Sequence, residues 1–220
     1  MVRTLYRYAL IASLVVLTLG MPVRAQNPEP DPDHIRGQVA SVDGSSIVVK
    51  TAGGKTVRLG LSDKLTVLTL SKGSFLSLDF GTYVGSVAVR LDIASPIVKA
   101  IPRDSANWLY QGYELRIIDE QLRGIAMGVK QWDLPDGSTM THGWIDDIEG
   151  RVVSIKYGPT REEETDVLVS RDTPILKMSV GDRSQIKPGA NVFVGGRKEA
   201  EGKYVAVFIF VGKDGIVPPL

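Results

Sequence analysis

The sequence predicts a mainly β protein, two tandem small barrels of five to six strands each with one short helix per barrel. Three observations carry that expectation. Apolar and polar residues alternate in short runs, the period of a half-buried strand. Glycine-containing turns separate the runs at short intervals. The chain also matches itself at a nearly fixed offset, so the second half is expected to build what the first half builds.

The match is gapless from Leu61–Ala88 onto Val169–Gly196, at an offset of 108. Gly73 meets Gly181, Gly81 meets Gly189 and Val84 meets Val192. Upstream the offset is 106, with Gly37 over Gly143, Gly44 over Gly150 and Lys50 over Lys156. The change of two falls in the turn TAGGKT, where a loop tolerates a difference in length.

The elements follow in order. Residues 1–25 read as a signal peptide: Arg3 and Arg7, an apolar run from Ala9 to Leu19, then Val23-Arg24-Ala25 as a cleavage site. The apolar run is shorter than the ~20 residues a membrane span needs. No cysteine follows it, so a lipoprotein anchor is excluded. Residues 26–34, with NPEPDPDH, are too rich in proline and acid for a helix or central strand and read as a disordered tether. Residues 35–121 form the first barrel. GQVASVD turns at Asp43-Gly44 into SSIVVKT, which turns at Gly53-Gly54 into KTVRLGL and LTVLTL. SKGSFLSLDFG breaks the alternation. It is expected to be a short helix with Leu76 and Leu78 inward, ended by Gly81. Its counterpart SVGDRSQIKPG turns Ile186 inward and ends at Gly189. Both glycines are expected at positive φ, followed by strands with Val84 and Val192 inside and Tyr83 and Asn191 on the other face. YELRIID closes the unit, after an insertion at residues 91–112. Residues 122–140 read as a linker and residues 141–220 as the second barrel, ending in YVAVFIFV. Five or six strands with a short helix before the penultimate one is the pattern of an OB-like barrel, with an open sandwich as the alternative.

Composition excludes several function classes. The 220 residues carry a net charge of +1, which argues against a nucleic-acid partner. With no cysteine there is no disulfide, thiolate catalysis or cysteine-held metal. No strand–GxSxG–helix, P-loop or dinucleotide fingerprint occurs, so no enzyme is expected. His34 and His142 precede the first strand of each unit at unequal distances from Gly37 and Gly143. They read as exposed strand-start residues rather than a shared metal site. WIDDIEGR reads as a hairpin turn, and REEETDV as a solvated hairpin or an edge strand protected by its charge. The strongest binding candidate is NWLYQGY. Trp108, Tyr110 and Tyr113, flanked by Arg103 and Arg116, would make an aromatic and cationic surface, or else cover the open end of a barrel as core.

The chain also resembles a family of predicted periplasmic proteins of unknown function with tandem OB-like repeats, often labelled metal ABC transporter permease. The resemblance rests on RGQVASVDGSSIVVKT, GTYVGSV, LRG at Leu122–Gly124, WDLPDGSTMT, IKPGANVFVGG and the ending VGKDGIVPPL, nearly the whole mature chain. A permease needs several membrane spans, and this chain has no apolar run for one beyond its leader. Here the linker reads IAMGVKQWDL, without the histidines of its relatives. The resemblance supplies no catalytic residues. The expected function is a periplasmic, non-catalytic binding or interaction module without cofactor or metal, its partner an unidentified periplasmic protein or small ligand. The alternative is a metal-associated accessory protein of a transport system.

Overall fold

The computed structural model describes residues 34–101, 108–133, 135–199 and 203–219. The expected signal peptide, residues 26–33 of the expected tether and Arg103 lie outside the described residues. His34, expected as the last tether residue, instead opens the first strand.

The chain is mainly β. Its strands are β1 (His34–Val42), β2 (Ser46–Thr51), β3 (Thr56–Lys72), β4 (Tyr83–Arg90), β5 (Leu109–Ile118), β6 (Gly128–Gln131), β7 (Ser138–Glu149), β8 (Val152–Tyr157), β9 (Glu163–Leu168), β10 (Ile175–Val180), β11 (Asn191–Lys198) and β12 (Tyr204–Gly212). One short helix, α1 (Pro96–Ala100), lies in the insertion.

The strands close two five-membered rings. In the first, β1 pairs β2, β2 pairs β3, β3 pairs β12 in parallel, β12 pairs β11 and β11 returns to β1. In the second, β7 pairs β8, β8 pairs β9, β9 pairs β5 in parallel, β5 pairs β4 and β4 returns to β7. This is the OB-like order, with a parallel contact closing each ring. Neither ring is drawn from residues 35–121 or 141–220 alone. The last two strands of each segment complete the ring begun by the other.

The pairing between the rings is symmetric. β3 and β10 run antiparallel between the rings, with Leu70 opposite Met178, Leu68 opposite Val180 and Lys72 opposite Leu176. Positions 108 apart therefore trade places across the Leu70–Met178 pair. Backbone hydrogen bonds repeat the trade. Gly73 N–H donates to Ile175 O at 2.8 Å and Gly181 N–H to Val67 O at 2.9 Å. Gly81 N–H donates to Ile145 O and Gly189 N–H to Val39 O, both at 2.8 Å.

Three apolar clusters hold the fold. Ile35, Val39, Ile47, Val49, Leu59, Val192, Val194 and Ile209 fill the first ring. Val84, Ala88, Leu115, Ile145, Val153, Ile155 and Val167 fill the second. Between the rings lies a third, of Leu68, Leu70, Tyr83, Ile118, Leu176, Met178, Phe193 and Phe210. β4 is consequently buried on both faces. Val84 and Val192 point inward as expected. Tyr83 does not meet solvent, because its face looks into the seam between the rings. Asn191 is half-buried, and its amide donates to the carbonyls of Gly215 and Ile216 at 3.4 and 3.3 Å.

The segments before β4 and β11 hold single 3-10 turns, Phe75–Ser77 and Arg183–Gln185, with side-chain caps from Ser74 and Asp182. Leu78 and Ile186 are buried. Leu76, expected inward, is 94% exposed, because one 3-10 turn has no second turn to give it an inner face. Gly81 and Gly189 follow the turns with φ of 76° and 86°. No atom lies within 4 Å of a Cβ added at either glycine. Alanine there should cost about 1 kcal/mol through φ strain alone, read as a matching drop in urea midpoint for both variants. A neutral result at either would contradict the shared backbone role.

A candidate ligand cavity at the seam of the two rings

Where the rings meet, the sheet leaves a cavity of about 470 Å³. Its deep wall is built by strand register. On β4 the residues facing the seam are Tyr83, Gly85 and Val87. Gly85 stands opposite His142 of β7 on one side and Arg116 of β5 on the other. A Cβ on Gly85 would lie 2.6 Å from the imidazole, so glycine here makes room for the His142 ring. Leu68, Met140, Met178 and Phe210 supply the apolar lining.

Residues 122–133 close the top. Leu122, Ile125 and Trp132 pack onto the seam cluster. The backbone turns sharply there, with positive φ at Gly124, Ala126 and Gly128. Two anchors hold the strap. At one, the Ile125 carbonyl accepts from Tyr83 OH and from His142 Nδ1, both at 2.9 Å. At the other, the Arg36 guanidinium grips Asp133 with two hydrogen bonds of 2.8 and 2.9 Å. His34 Nδ1 lies 3.2 Å from the same carboxylate, and its ring packs on Trp132 at 4.6 Å. Burial raises the Asp133 pKa, but Arg36 and His34 outweigh it and hold the carboxyl below the usual range.

The site's electrostatics follow from burial. Burial pulls His142 down to about 4, the Ile125 carbonyl opposes this, and the charges of Arg116 and Lys130 push it lower still. The imidazole is neutral at pH 7 with its proton on Nδ1. Nε2 has no partner among the described residues. Arg116 is paired with Glu114, two residues away on the same face of β5, and its guanidinium sits 5.2 Å from the Phe210 ring centroid. Burial raises the Glu114 pKa against the pull of Arg116. Burial alone raises Tyr83 to about 12.

These shifts predict acid sensitivity. Above pH 6.5 the folded and unfolded chains carry the same neutral His142. As pH falls from 6.5 towards 4, the unfolded chain binds a proton that the folded chain refuses. Stability therefore drops by roughly 3 kcal/mol over that window. Glu114 acts in the opposite sense, since its raised pKa favours the folded state at low pH and that contribution fades as pH rises through the folded value. The difference in urea midpoint between wild type and His142→Gln should accordingly shrink on going from pH 7 to pH 4. A constant difference would contradict the assignment.

The structure scatters the residues singled out from NWLYQGY. Trp108 is 46% exposed, with Arg90 stacked 3.2 Å from its ring centroid. Tyr110 packs against the core of the second ring. Tyr113 is exposed at a bulge between β4 and β5. Arg116 is buried, and of the four described residues it is the one that lines the cavity. The insertion covers one end of the second ring instead, with Leu91, Val98 and Ile101 packed on Leu109, Val152 and Leu168.

Both histidines depart from the sequence reading as exposed strand-start residues. His142 is buried and His34 half-buried, because His34 at the start of β1 and His142 in the interior of β7 both face the seam rather than solvent. They line one cavity although their positions in the two segments are not equivalent. Glu114, Trp132 and Asp133 were not legible as site residues. The available signal was Glu114 and Arg116, two charges on one face of the otherwise apolar run YELRII. Asp146 pairs with Lys156 at 2.7 Å, with Glu164 beyond at 3.8 Å, a surface network outside the cavity.

The fold and the cavity define a mainly β, OB-like barrel protein with an internal pocket between two interlaced rings. Compared with protein-family models, curated proteins and solved structures, the chain shows no match.

Proposed function

We propose that this chain is an exported, non-catalytic binding module, a duplicated OB-like unit whose two copies have exchanged strands to build one shared ligand cavity. The observation that carries the reading is the seam cavity itself. It is concave, of small-molecule size and mostly apolar, with a few convergent polar groups, the combination that marks a ligand site. Three buried polar atoms near it, His142 Nε2, Trp132 Nε1 and Glu114 Oε2, have no hydrogen-bond partner among the described residues. Buried polar groups ordinarily find one. The register exchange across Leu70–Met178 supports the duplication, and residues 1–25 support export to the periplasm.

Among the described residues no three or more His, Asp or Glu side chains gather as a metal-ligand set, so the metal-associated alternative draws no support from side-chain geometry. Among the same residues no helix is long and apolar enough to cross a membrane. Native mass spectrometry of protein purified from the periplasm tests the reading. A small-molecule adduct that is lost on unfolding, on a chain starting near Gln26, is expected. A bare mass in every preparation, or a chain retaining Met1, would contradict the binding or the export reading respectively.

A further inference from the structure

We propose that the seam cavity takes an amphiphilic monocarboxylate, its apolar chain lying on Leu68, Met140, Met178 and Phe210 and its carboxylate at the rim beside Lys130 and Gln131. The inference rests on the cavity reading above and adds the chemical class of the ligand.

The lining divides by depth. The inner residues are buried and mainly apolar, whereas Thr66, Ala126, Lys130 and Gln131 are exposed at the rim. A ligand matching this gradient has an apolar body and one polar end. The sign of that end follows from the charges. Among the described residues no aspartate or glutamate lines the cavity, while Arg116 and Lys130 do. Glu114, beside the lining residue Arg116, and Asp133, next to the lining residue Trp132, already have cationic partners in Arg116 and Arg36. Lys130 makes no ion pair among the described residues. It stands directly opposite Met140 in the β6–β7 pairing, so the free ammonium and the apolar wall belong to the same face. With Arg116 balanced by Glu114, Lys130 is the uncompensated charge at the mouth. It attracts an anion and disfavours a cation.

Decanoate and decyltrimethylammonium carry the same apolar chain with opposite charge, and calorimetric titration of the mature protein with each tests the inference. Decanoate is expected to bind at least tenfold more tightly than the cation. Lys130→Gln should weaken decanoate about three- to fivefold, the scale of an exposed ion pair, and Lys130→Glu should weaken it further. Both substitutions change an exposed side chain and are expected to leave the fold intact, as circular dichroism would show. Met140→Trp, which fills the apolar wall, should abolish decanoate binding in a protein whose circular dichroism is unchanged. If Met140→Trp fails to fold, the lysine pair decides the case. Equal binding of the two probes, or preference for the cation, would overturn the carboxylate assignment. Decanoate binding untouched by both lysine variants would overturn the placement at the rim. If neither probe binds while the purified protein still carries a small-molecule adduct, the carboxylate assignment falls and the cavity reading stands. If there is no adduct either, both fall.

Discussion

Gly143→Ala is expected to destabilise the protein by on the order of 3 kcal/mol or more, and Gly37→Ala by a similar amount. A Cβ on Gly143 would lie 2.2 Å from the Lys156 carbonyl oxygen and 2.8 Å from Ile155 Cγ2. A Cβ on Gly37 would lie 2.2 Å from the Lys50 carbonyl oxygen. The obstacle is backbone held in a ladder on both sides, which cannot rotate away as a side-chain tip could. β7 at Gly143 is paired with β4 while it joins β8, and β1 at Gly37 is paired with both β2 and β11. Relief would require separating strands that close a ring. Equilibrium urea unfolding measures the loss. A change below about 0.5 kcal/mol, the usual range of surface substitutions, would contradict the close approach.

Division of the chain in the exposed turn at Asp136-Gly137 is expected to abolish cooperative folding of either piece, and mixing the pieces is expected to restore it. The first piece holds β1–β3 without β11 and β12, and β4 and β5 without β7–β9. It leaves the seam cluster without Met178, Phe193 and Phe210. The second piece lacks the complementary strands. Each is left with open sheet edges and one face of an uncovered core. Far-ultraviolet circular dichroism with urea titration reads the result. A sharp transition in either isolated piece would contradict the interdependence of the rings.

The strands themselves were legible, because alternation and the Asp43-Gly44, Gly53-Gly54 and Glu149-Gly150 turns mark them locally. The match of the chain to itself was legible in its aligned glycines. What could not be read was which ring each strand closes. Val84 and Ala88 of β4 and Val192 and Val194 of β11 present similar inner faces. A pattern written twice carries no information on which ring each strand completes. One hint was present: YVGSVAV is nearly continuous in apolar and small residues, as a strand covered on both faces must be. That second face is the seam, and the cavity follows from it. The period of two placed Trp108 and Tyr110 together, but the bulge beside Tyr113 and the burial of Arg116 depend on pairing partners far along the chain. His142 looked exposed beside the turn-rich linker. It is buried because residues 122–133 fold back over it, an outcome of packing that local sequence does not encode.

The exchange of strands is the claim on which the rings, the seam and the cavity all depend, and one engineered disulfide tests it directly. The chain has no cysteine, so an introduced pair reports without interference. Gln38 of β1 lies opposite Asn191 of β11. In an unexchanged arrangement the strand beside β1 would be β4, and the residue 108 positions earlier, Tyr83, would take that place. Gln38→Cys with Asn191→Cys is expected to oxidise to an intramolecular disulfide, seen as a concentration-independent gel shift and a linked peptide by mass spectrometry. Absence of that link in the folded, oxidised monomer would contradict the exchange.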